Sequence, residues 1–200
     1  MNYEDHIKIG IDNIKRYEHP FNSDVFISNR VLELKKEFGL NSAIETGSFI
    51  FVTSKFFALN FESFITFEKS KELFDEYGVT IDGLPNVARI NSGSEEGLIA
   101  FNKHITDKTI MFLDAHWDEN CPLPRELEII AETGNKPILL IHDFKVPKTD
   151  RYFYSFDGND LDEEYVKPFL DKIYGEEKYS FEYPEKVGKF NVGAVFILPK

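Results

Sequence analysis

Acidic and histidine side chains alternate in one short stretch of the chain, FLDAHWDEN (112–120), directly after an apolar segment. Asp114, His116 and Asp118 stand at every second position there. Carboxylates and imidazoles bind divalent cations, and they also transfer protons near neutral pH. The residues themselves leave three interpretations open, namely a metal site, an acid–base cluster, or a polar loop that leaves a sheet.

Short apolar segments alternate with amphipathic ones along the chain, which is typical of alternating strands and helices. Strands separated by helical stretches are predicted at 42–46, 63–68, 87–91, 109–114 and 137–142. They should be parallel and buried. The last two predicted strands, 178–183 and 191–198, are joined by a link too short for a helix and should form an antiparallel pair. The predicted fold class is α/β, a doubly wound and mostly parallel sheet of seven strands with an antiparallel C-terminal hairpin.

The N-terminal part is predicted to be helical over 4–17 and 24–38, with Ser23 as the cap of the second helix and Gly39 as its stop. We expect one domain over 1–200, with N-terminal helices in 1–40 and the core in 41–200. The long irregular stretch 144–160 is expected to be a lid or binding loop.

The charge balance disfavours several classes of partner. Twenty-three basic and 35 acidic residues give a net charge of −12, which repels phosphate backbones and anionic lipid surfaces. A single cysteine, Cys121, excludes an internal disulfide, and neither a signal peptide nor a membrane span is recognisable. The expectation is a cytoplasmic protein that does not bind nucleic acid or membranes.

Polar groups follow all five predicted parallel strands, where ligands bind in open α/β sheets. The segments at these ends are ETGS (45–48), Glu68, NSGSEE (91–96), DAHWDE (114–119) and HDF (142–144). The carboxyl edge of the sheet is therefore the expected ligand site.

These segments resemble those of the class I S-adenosylmethionine-dependent methyltransferases, and the resemblance covers roughly residues 40–198. The family has an acidic residue and a glycine-rich turn after the first strand, an acidic residue closing the second, and a small polar segment after the third. The resemblance implies a Rossmann-like fold and S-adenosylmethionine (SAM) as cofactor. The implied cofactor-binding residues are Glu45, Thr46, Gly47, Ser48, Glu68, Gly93, Ser94 and Asp114. The usual turn has two or three glycines, whereas here Gly47 stands alone.

FLDAHWDE and LLIHDF are most similar to segments of the metal-dependent O-methyltransferases of the catechol and macrocin types. This resemblance implies methyl transfer to a hydroxyl, or a similar nucleophile, of a small molecule. It also implies that Asp114, His142 and Asp143 bind Mg²⁺ or Mn²⁺. His142 departs from the family pattern, and because Mg²⁺ prefers oxygen ligands, an imidazole there favours zinc, manganese or iron.

Several alternatives remain at this stage. In a metal-free reaction His116 or His142 would be the general base, so the catalytic candidates are Asp114, His116 and His142. Asp114 could instead cap the next helix, and His116 could pack under the long loop together with Trp117. DAHWD and SFDGNDLD (155–162) also resemble the manganese motifs of the ureohydrolases.

The single glycine of the first turn is consistent with a methyltransferase-like domain that has lost catalysis and only binds a partner. For an enzyme, the expected acceptor is a flat or sugar-like small molecule that stacks on aromatic residues of the long loop. The N-terminal helices are expected to cover the acceptor or to form a homodimer contact.

Overall fold

The structure is a computed structural model that describes residues 18–116 and 121–200. The predicted helix 4–17 and the residues Trp117, Asp118 and Glu119 lie outside the described residues. The strands are β1 (Ser42–Thr46), β2 (Ser63–Phe67), β3 (Val87–Ile90), β4 (Thr109–Leu113), β5 (Ile138–His142), β6 (Ser155–Phe156), β7 (Asn159–Asp160), β8 (Tyr179–Glu182) and β9 (Ala194–Pro199). The helices are α1 (Pro20–Ser23), α2 (Val25–Phe38), α3 (Val52–Asn60), α4 (Lys71–Tyr77), α5 (Ser94–Phe101), α6 (Leu123–Glu132) and α7 (Glu163–Tyr174). Short 3₁₀ helices occupy Gly78–Ile81 and Asn102–His104.

Seven strands form one sheet in the order β3-β2-β1-β4-β5-β9-β8, and β6 pairs with β7 in a separate small hairpin. The strands β1 to β5 pair in parallel, whereas β9 is antiparallel to both β5 and β8. The predicted fold class is confirmed. The strand order reverses between β1 and β4, and the carboxyl ends of these two strands therefore border the crevice where such sheets bind ligands.

Apolar side chains pack on both faces of this sheet. On one face Phe64, Phe112 and Phe196 join residues of α2 and α3, and on the other face Met111 and Leu139 join residues of α5, α6 and α7. Burial on both faces explains why the parallel strands are almost continuously apolar. None of the helices in 18–116 and 121–200 is long and apolar enough to cross a membrane.

The start of α2 corrects the predicted cap. Asp24, not Ser23, caps this helix, because its Oδ1 accepts hydrogen bonds from the N–H groups of Phe26 (2.9 Å) and Ile27 (3.1 Å). A carboxylate is a favourable cap, since it also complements the partial positive charge of the helix N-terminus. Gly39 ends the helix in a left-handed conformation, as predicted (φ 61°).

Candidate functional site

Two carboxylates and an imidazole meet at the carboxyl ends of β4 and β5. Asp114 follows β4 and Asp143 follows β5, and the two strands are parallel neighbours. His142 Nδ1 lies 3.3 Å from Asp114 Oδ1 and 3.1 Å from Asp143 Oδ1. In the described part of the chain, this is the single group of acidic, histidine or cysteine residues whose possible metal ligands all lie within 4.8 Å of one another.

The charges in this cluster support one another. Burial alone would lower the pKa of His142, but the carboxylates of Asp114 and Asp143 outweigh it and raise that pKa well above the usual value. Burial opposes ionisation of Asp143 too, yet the two neighbouring imidazoles hold its pKa well below the usual range. A positive centre between the carboxylates, either a proton on His142 or a cation, is therefore favourable.

His116 lies beside this cluster and faces a cavity. Its Nε2 is 3.4 Å from Asp143 Oδ2, an ion-pair distance but outside hydrogen-bond geometry. Burial lowers its pKa, while the nearby Asp143 carboxylate raises it, and the net effect is a raised pKa. Its ring packs on Tyr154 of the long loop (centroids 5.0 Å apart), in agreement with the alternative in which His116 packs under this loop. The side chain thus has a packing role and also lines the cavity.

Asp114 caps none of the described helices. The next described helix, α6, begins at Leu123 with Pro122 at the cap position, and no side chain caps it. Asp114 lies eight positions earlier in the sequence, at the end of β4, where its carboxylate faces His142.

A cavity of about 400 Å³ opens at the carboxyl ends of the central strands. Its wall includes five of the predicted cofactor-binding residues, namely Gly47, Glu68, Gly93, Ser94 and Asp114. The volume lies within the range of small-molecule sites, about 300–1,000 Å³. Residues separated by more than 60 positions in the sequence are therefore brought to one cavity.

Glu68 is held in the wall of this cavity by backbone groups. The N–H of Phe49 donates to its Oε2 (2.8 Å) and the N–H of Ser70 donates to its Oε1 (2.7 Å). A carboxylate can accept about four hydrogen bonds, so two lone pairs remain for a ligand. Burial raises the pKa of Glu68, although these backbone donors oppose the shift.

The other predicted residues at the end of β1 are largely buried. The Glu45 carboxylate accepts hydrogen bonds from the hydroxyls of Ser54 and Thr66, and Ser48 Oγ pairs with Thr66 Oγ1. Glu45 and Ser48 line a smaller cavity of about 30 Å³ beside the large one. Thr46 Oγ1 is buried and has no hydrogen-bond partner among the described residues. That these three residues contact the cofactor stays a prediction.

Glu45 should make the stability of the protein depend on pH. Burial raises the pKa of Glu45 to about 8. Between the ordinary glutamate pKa and about 8 the folded state binds the extra proton, so the free energy of unfolding should fall as the pH rises through this window. Glu45→Gln should reduce this fall by on the order of a few kcal/mol. Urea unfolding at pH 5 and pH 8 measures it.

The control for this experiment is Glu62→Gln, which changes an exposed glutamate. It should leave the difference between pH 5 and pH 8 as in the wild type. An equal pH dependence in the wild type and Glu45→Gln would show that Glu45 is not protonated in the folded protein.

Gly47 permits the close approach of two loops at the cavity. Its φ is +78°, and an added Cβ would lie 2.7 Å from the backbone oxygen of Asp114 and 2.9 Å from Ala115 Cα. Both neighbours are backbone atoms at the end of β4, which cannot move without shifting Asp114. A side chain is therefore excluded at this position for two reasons, namely conformation and space.

We expect Gly47→Ala to destabilise the protein by about 1–3 kcal/mol and to weaken binding in the large cavity, since the added methyl group displaces the Asp114 backbone. Gly83→Ala is the matched control, because Gly83 has nearly the same φ (+77°) but nothing within 4 Å of an added Cβ. Chemical unfolding of both variants separates the cost of the positive φ from the cost of the contact with the Asp114 backbone. Equal destabilisation would mean that the positive φ, not the contact with β4, requires glycine.

Two residues near the cavity were not predicted from the sequence. Glu126 of α6 is 1% exposed, and burial raises its pKa to about 7. Its sequence signal is an acidic residue on the apolar face that Leu123, Leu127 and Ile130 form. Asn22 of α1 lines both cavities, and its position comes from a turn conformation that no sequence pattern indicates.

The segment SFDGNDLD (155–162), which resembles a ureohydrolase motif, has other roles in the structure. Asp160 forms an ion pair with Lys145 (2.5 Å), and the Asp162 side chain caps α7 by accepting from the N–H of Tyr165 (3.0 Å). Neither carboxylate belongs to the cluster of His142. The described residues therefore form one potential metal centre, at Asp114, His142 and Asp143, and not the pair of centres that a ureohydrolase needs.

The long stretch that contains this segment is anchored at several points. Phe144 and Tyr154 are buried, and the Tyr154 N–H donates to the Asp143 backbone oxygen (2.8 Å). Tyr152 pairs with Val192 in an isolated bridge. The expected binding loop is thus fastened to the site through Asp143.

Comparisons with known proteins identify the fold. No protein-family model matches this sequence, and no curated protein matches it significantly. An O-methyltransferase from Bacillus cereus, solved in complex with S-adenosylhomocysteine (SAH), has a TM-score of 0.66 at 14% identity, over 98% of this chain and 90% of that chain. A proposed caffeoyl-CoA O-methyltransferase from Staphylococcus aureus has a TM-score of 0.61 at 15% identity, over 96% and 91%. A SAM-dependent methyltransferase from Aquifex aeolicus has a TM-score of 0.56 at 18% identity, over 94% and 98%.

The chain therefore has the fold of the class I methyltransferases, as the motifs at the strand ends predicted. These identities are low, and the similarity concerns the arrangement of the elements. The activity of a protein with this fold depends on the residues of its cavity.

Proposed function

We propose that the protein is a SAM-dependent methyltransferase that acts on a hydroxyl, or a similar nucleophile, of a small molecule. The observation that carries the proposal is the convergence of Gly47, Glu68, Gly93, Ser94 and Asp114 on one cavity of about 400 Å³. The cavity lies at the carboxyl ends of the central strands, where open α/β sheets bind ligands.

The residues of this cavity fit SAM, which carries a positive sulfonium and a ribose diol. Glu68 has lone pairs left to accept both ribose hydroxyls, and its two backbone donors hold the carboxylate in place. Glu95 and Glu96 add acidic groups to the wall, which favour a cationic ligand. Gly47 lets the backbone of the first turn lie close to β4, so that this side of the cavity stays open.

The chemistry that SAM supplies is an electrophilic methyl group, and the cluster beside the cavity can prepare the nucleophile. His116 lines the cavity, and its imidazole can receive the proton of an acceptor hydroxyl. The Asp143 carboxylate, 3.4 Å from His116 Nε2, would stabilise the imidazolium that forms. His142 does not line the cavity, so His116 is the better placed base.

A divalent cation fits the same cluster. Asp114, His142 and Asp143 would hold it with two carboxylate oxygens and one imidazole nitrogen, a donor set in which the nitrogen favours Mn²⁺ over Mg²⁺. Such a cation would lower the pKa of an acceptor hydroxyl. We include this cation in the proposal, together with His116 as the base.

The acceptor is proposed to be a flat or sugar-like small molecule. Tyr152 is 58% exposed. Partial burial raises the pKa of its hydroxyl, and the negative charge of Asp143 raises it further. An exposed aromatic ring beside the reactive groups is suited to stacking on such a molecule. The net charge of −12 argues against nucleic acid as the acceptor, and the single Cys121 agrees with a cytoplasmic reaction.

Calorimetric titration of the protein with SAM and SAH tests the proposal, with ATP as a nucleotide control. We expect both adenosyl ligands to bind and ATP to bind much more weakly, because the acidic side chains of the cavity wall repel its triphosphate. Absence of SAM and SAH binding at millimolar concentration would contradict the proposal. Binding without turnover on a panel of catechols and sugars, with and without Mn²⁺, would favour a binding domain that has lost catalysis.

A further inference from the structure

Three of the four residues of α1 adopt a left-handed conformation, so this segment is a tight turn and not a regular right-handed helix. The φ angles of Phe21, Asn22 and Ser23 are 53°, 52° and 64°. For residues other than glycine this conformation costs roughly 1–2 kcal/mol each, and asparagine tolerates it best. Strain of this kind persists where the surrounding structure enforces it, and it is concentrated at functional sites.

Strong anchors on both sides hold this turn. The Phe21 side chain is fully buried against the rings of Phe56, Phe57 and Phe112, with centroids 5.1–5.5 Å apart, and its N–H donates to Thr53 Oγ1 (2.9 Å). On the other side Asp24 caps α2, and its Oδ2 accepts from the N–H of Gly188 (2.7 Å). Asn22, which lies between these anchors, is consequently fixed in place.

That residue, Asn22, is directed at the polar cluster. Its side-chain amide nitrogen, Nδ2, lies 3.5 Å from His142 Nδ1, the atom that also faces the carboxylates of Asp114 and Asp143. It lines both cavities. The side chains of Asn22, Asp114 and Asp143 therefore all approach the same atom, His142 Nδ1.

The orientation of this amide follows from its neighbours. Carboxylates only accept hydrogen bonds, so the point between Asp114 and Asp143 is a site for a positive centre. The oxygen of an amide complements a positive centre, whereas its nitrogen opposes one. Because amide oxygen and nitrogen are distinguished only by their partners, the arrangement with Asn22 Oδ1 toward the cluster is the consistent one.

We propose that Asn22 is a fourth protein ligand of a divalent cation held by Asp114, His142 and Asp143, an inference that rests on the metal-assisted form of the proposed function. Around a six-coordinate Mg²⁺ or Mn²⁺ with bonds of about 2.1 Å, neighbouring ligand atoms lie about 3 Å apart. The observed distances from His142 Nδ1 to the two carboxylates and to the amide, 3.1, 3.3 and 3.5 Å, are close to this spacing. Asn22 adds an oxygen to a set in which His142 supplies nitrogen, which makes the site more suitable for Mn²⁺ and Mg²⁺.

Titration with Mn²⁺ alone, followed by calorimetry, tests the inference with three variants. Asn22→Gly removes the side chain and relieves the left-handed turn, so the melting temperature should stay close to that of the wild type. Its dissociation constant for Mn²⁺ should rise at least about 10-fold. Asn22→Asp keeps an oxygen and tolerates the turn, and it should bind Mn²⁺ at least as tightly as the wild type. Asn191→Gly is the matched control, because Asn191 has the same φ of 52° but is exposed.

The outcomes separate the inference from the proposed function. Equal Mn²⁺ affinity of the wild type and Asn22→Gly overturns the inference and leaves methyl transfer untouched. Loss of Mn²⁺ binding in Asn22→Asp as well would show that the site needs an amide donor and not an oxygen ligand, which also overturns it. A wild type that binds SAH but no Mn²⁺ rejects the metal site alone, whereas a wild type that binds neither rejects the proposed function too.

Discussion

Asp143→Asn is expected to lower the rate of methyl transfer at least about 100-fold and to abolish Mn²⁺ binding, while the affinity for SAH stays nearly unchanged. Asp143 faces both His142 (3.1 Å) and His116 (3.4 Å), so its charge supports the metal site and the proposed base together. It does not line the large cavity, and for this reason the cofactor should bind normally. Asparagine also tolerates the positive φ of this position (54°).

Asp157→Asn is the matched control for this variant. Asp157 also has a positive φ (49°), but it is exposed and does not belong to the cluster of His142. Turnover, Mn²⁺ calorimetry and SAH calorimetry on both variants give the comparison. Asp114→Asn should lose Mn²⁺ binding in the same way, because His142 Nδ1 is 3.3 Å from its carboxylate.

Other results would redirect the assignment. Turnover that is unaffected by chelators would exclude the cation and leave His116 as the base. Two bound ions per chain without affinity for SAM would favour the ureohydrolase-like alternative, since only a dinuclear site needs that stoichiometry.

The second large effect is expected at Glu68. Glu68→Gln removes the charge that accepts the ribose hydroxyls, and a hydrogen bond to a charged group contributes about 1.5–3 kcal/mol. The dissociation constant for SAH should therefore rise roughly 10- to 100-fold. The N–H groups of Phe49 and Ser70 bond different oxygens of Glu68, and glutamine keeps an oxygen for one of them, so that the wall of the cavity is less disturbed than in an alanine variant.

A pair of ligands assigns this effect to the diol. The wild type should bind adenosine more tightly than 2′,3′-dideoxyadenosine, and Glu68→Gln should lose this preference. Glu95→Gln, which changes another carboxylate of the same cavity, should retain it. If Glu68→Gln discriminates between the two nucleosides as well as the wild type does, Glu68 does not bind the ribose.

Much of the sheet could be predicted because its signals are local. A strand that is buried on both faces of a sheet is recognisable from its own apolar residues, whichever strands are its neighbours. The strands β1 to β5 begin and end within one residue of their predicted bounds. The polar residue after each strand was also visible in the sequence. Glu68 and Asp114 lie directly beyond β2 and β4, because these strands end one residue earlier than predicted.

The cap of α2 shows where local signals were insufficient. Ser23 and Asp24 are both good cap residues, so the sequence alone could not decide between them. The tertiary structure decides, because Asp24 also accepts a hydrogen bond from the N–H of Gly188, which is distant in the sequence. Glu126 was only partly predictable. Its position on an apolar helix face could be recognised in the sequence, but its burial could not.

The sequence by itself determined the fold class, the residues at the strand ends and the chemistry they can perform, because strand periodicity and the parallel arrangement require only local pattern and handedness. Only the tertiary structure decided which of these groups meet. It placed His142 Nδ1 between Asp114 and Asp143, turned Glu45 toward Ser54 and Thr66, and brought Asn22 to the cluster. The physical reason is that a contact between distant residues depends on packing and on strained turns such as that at Asn22, whose cost is offset by anchors elsewhere in the chain.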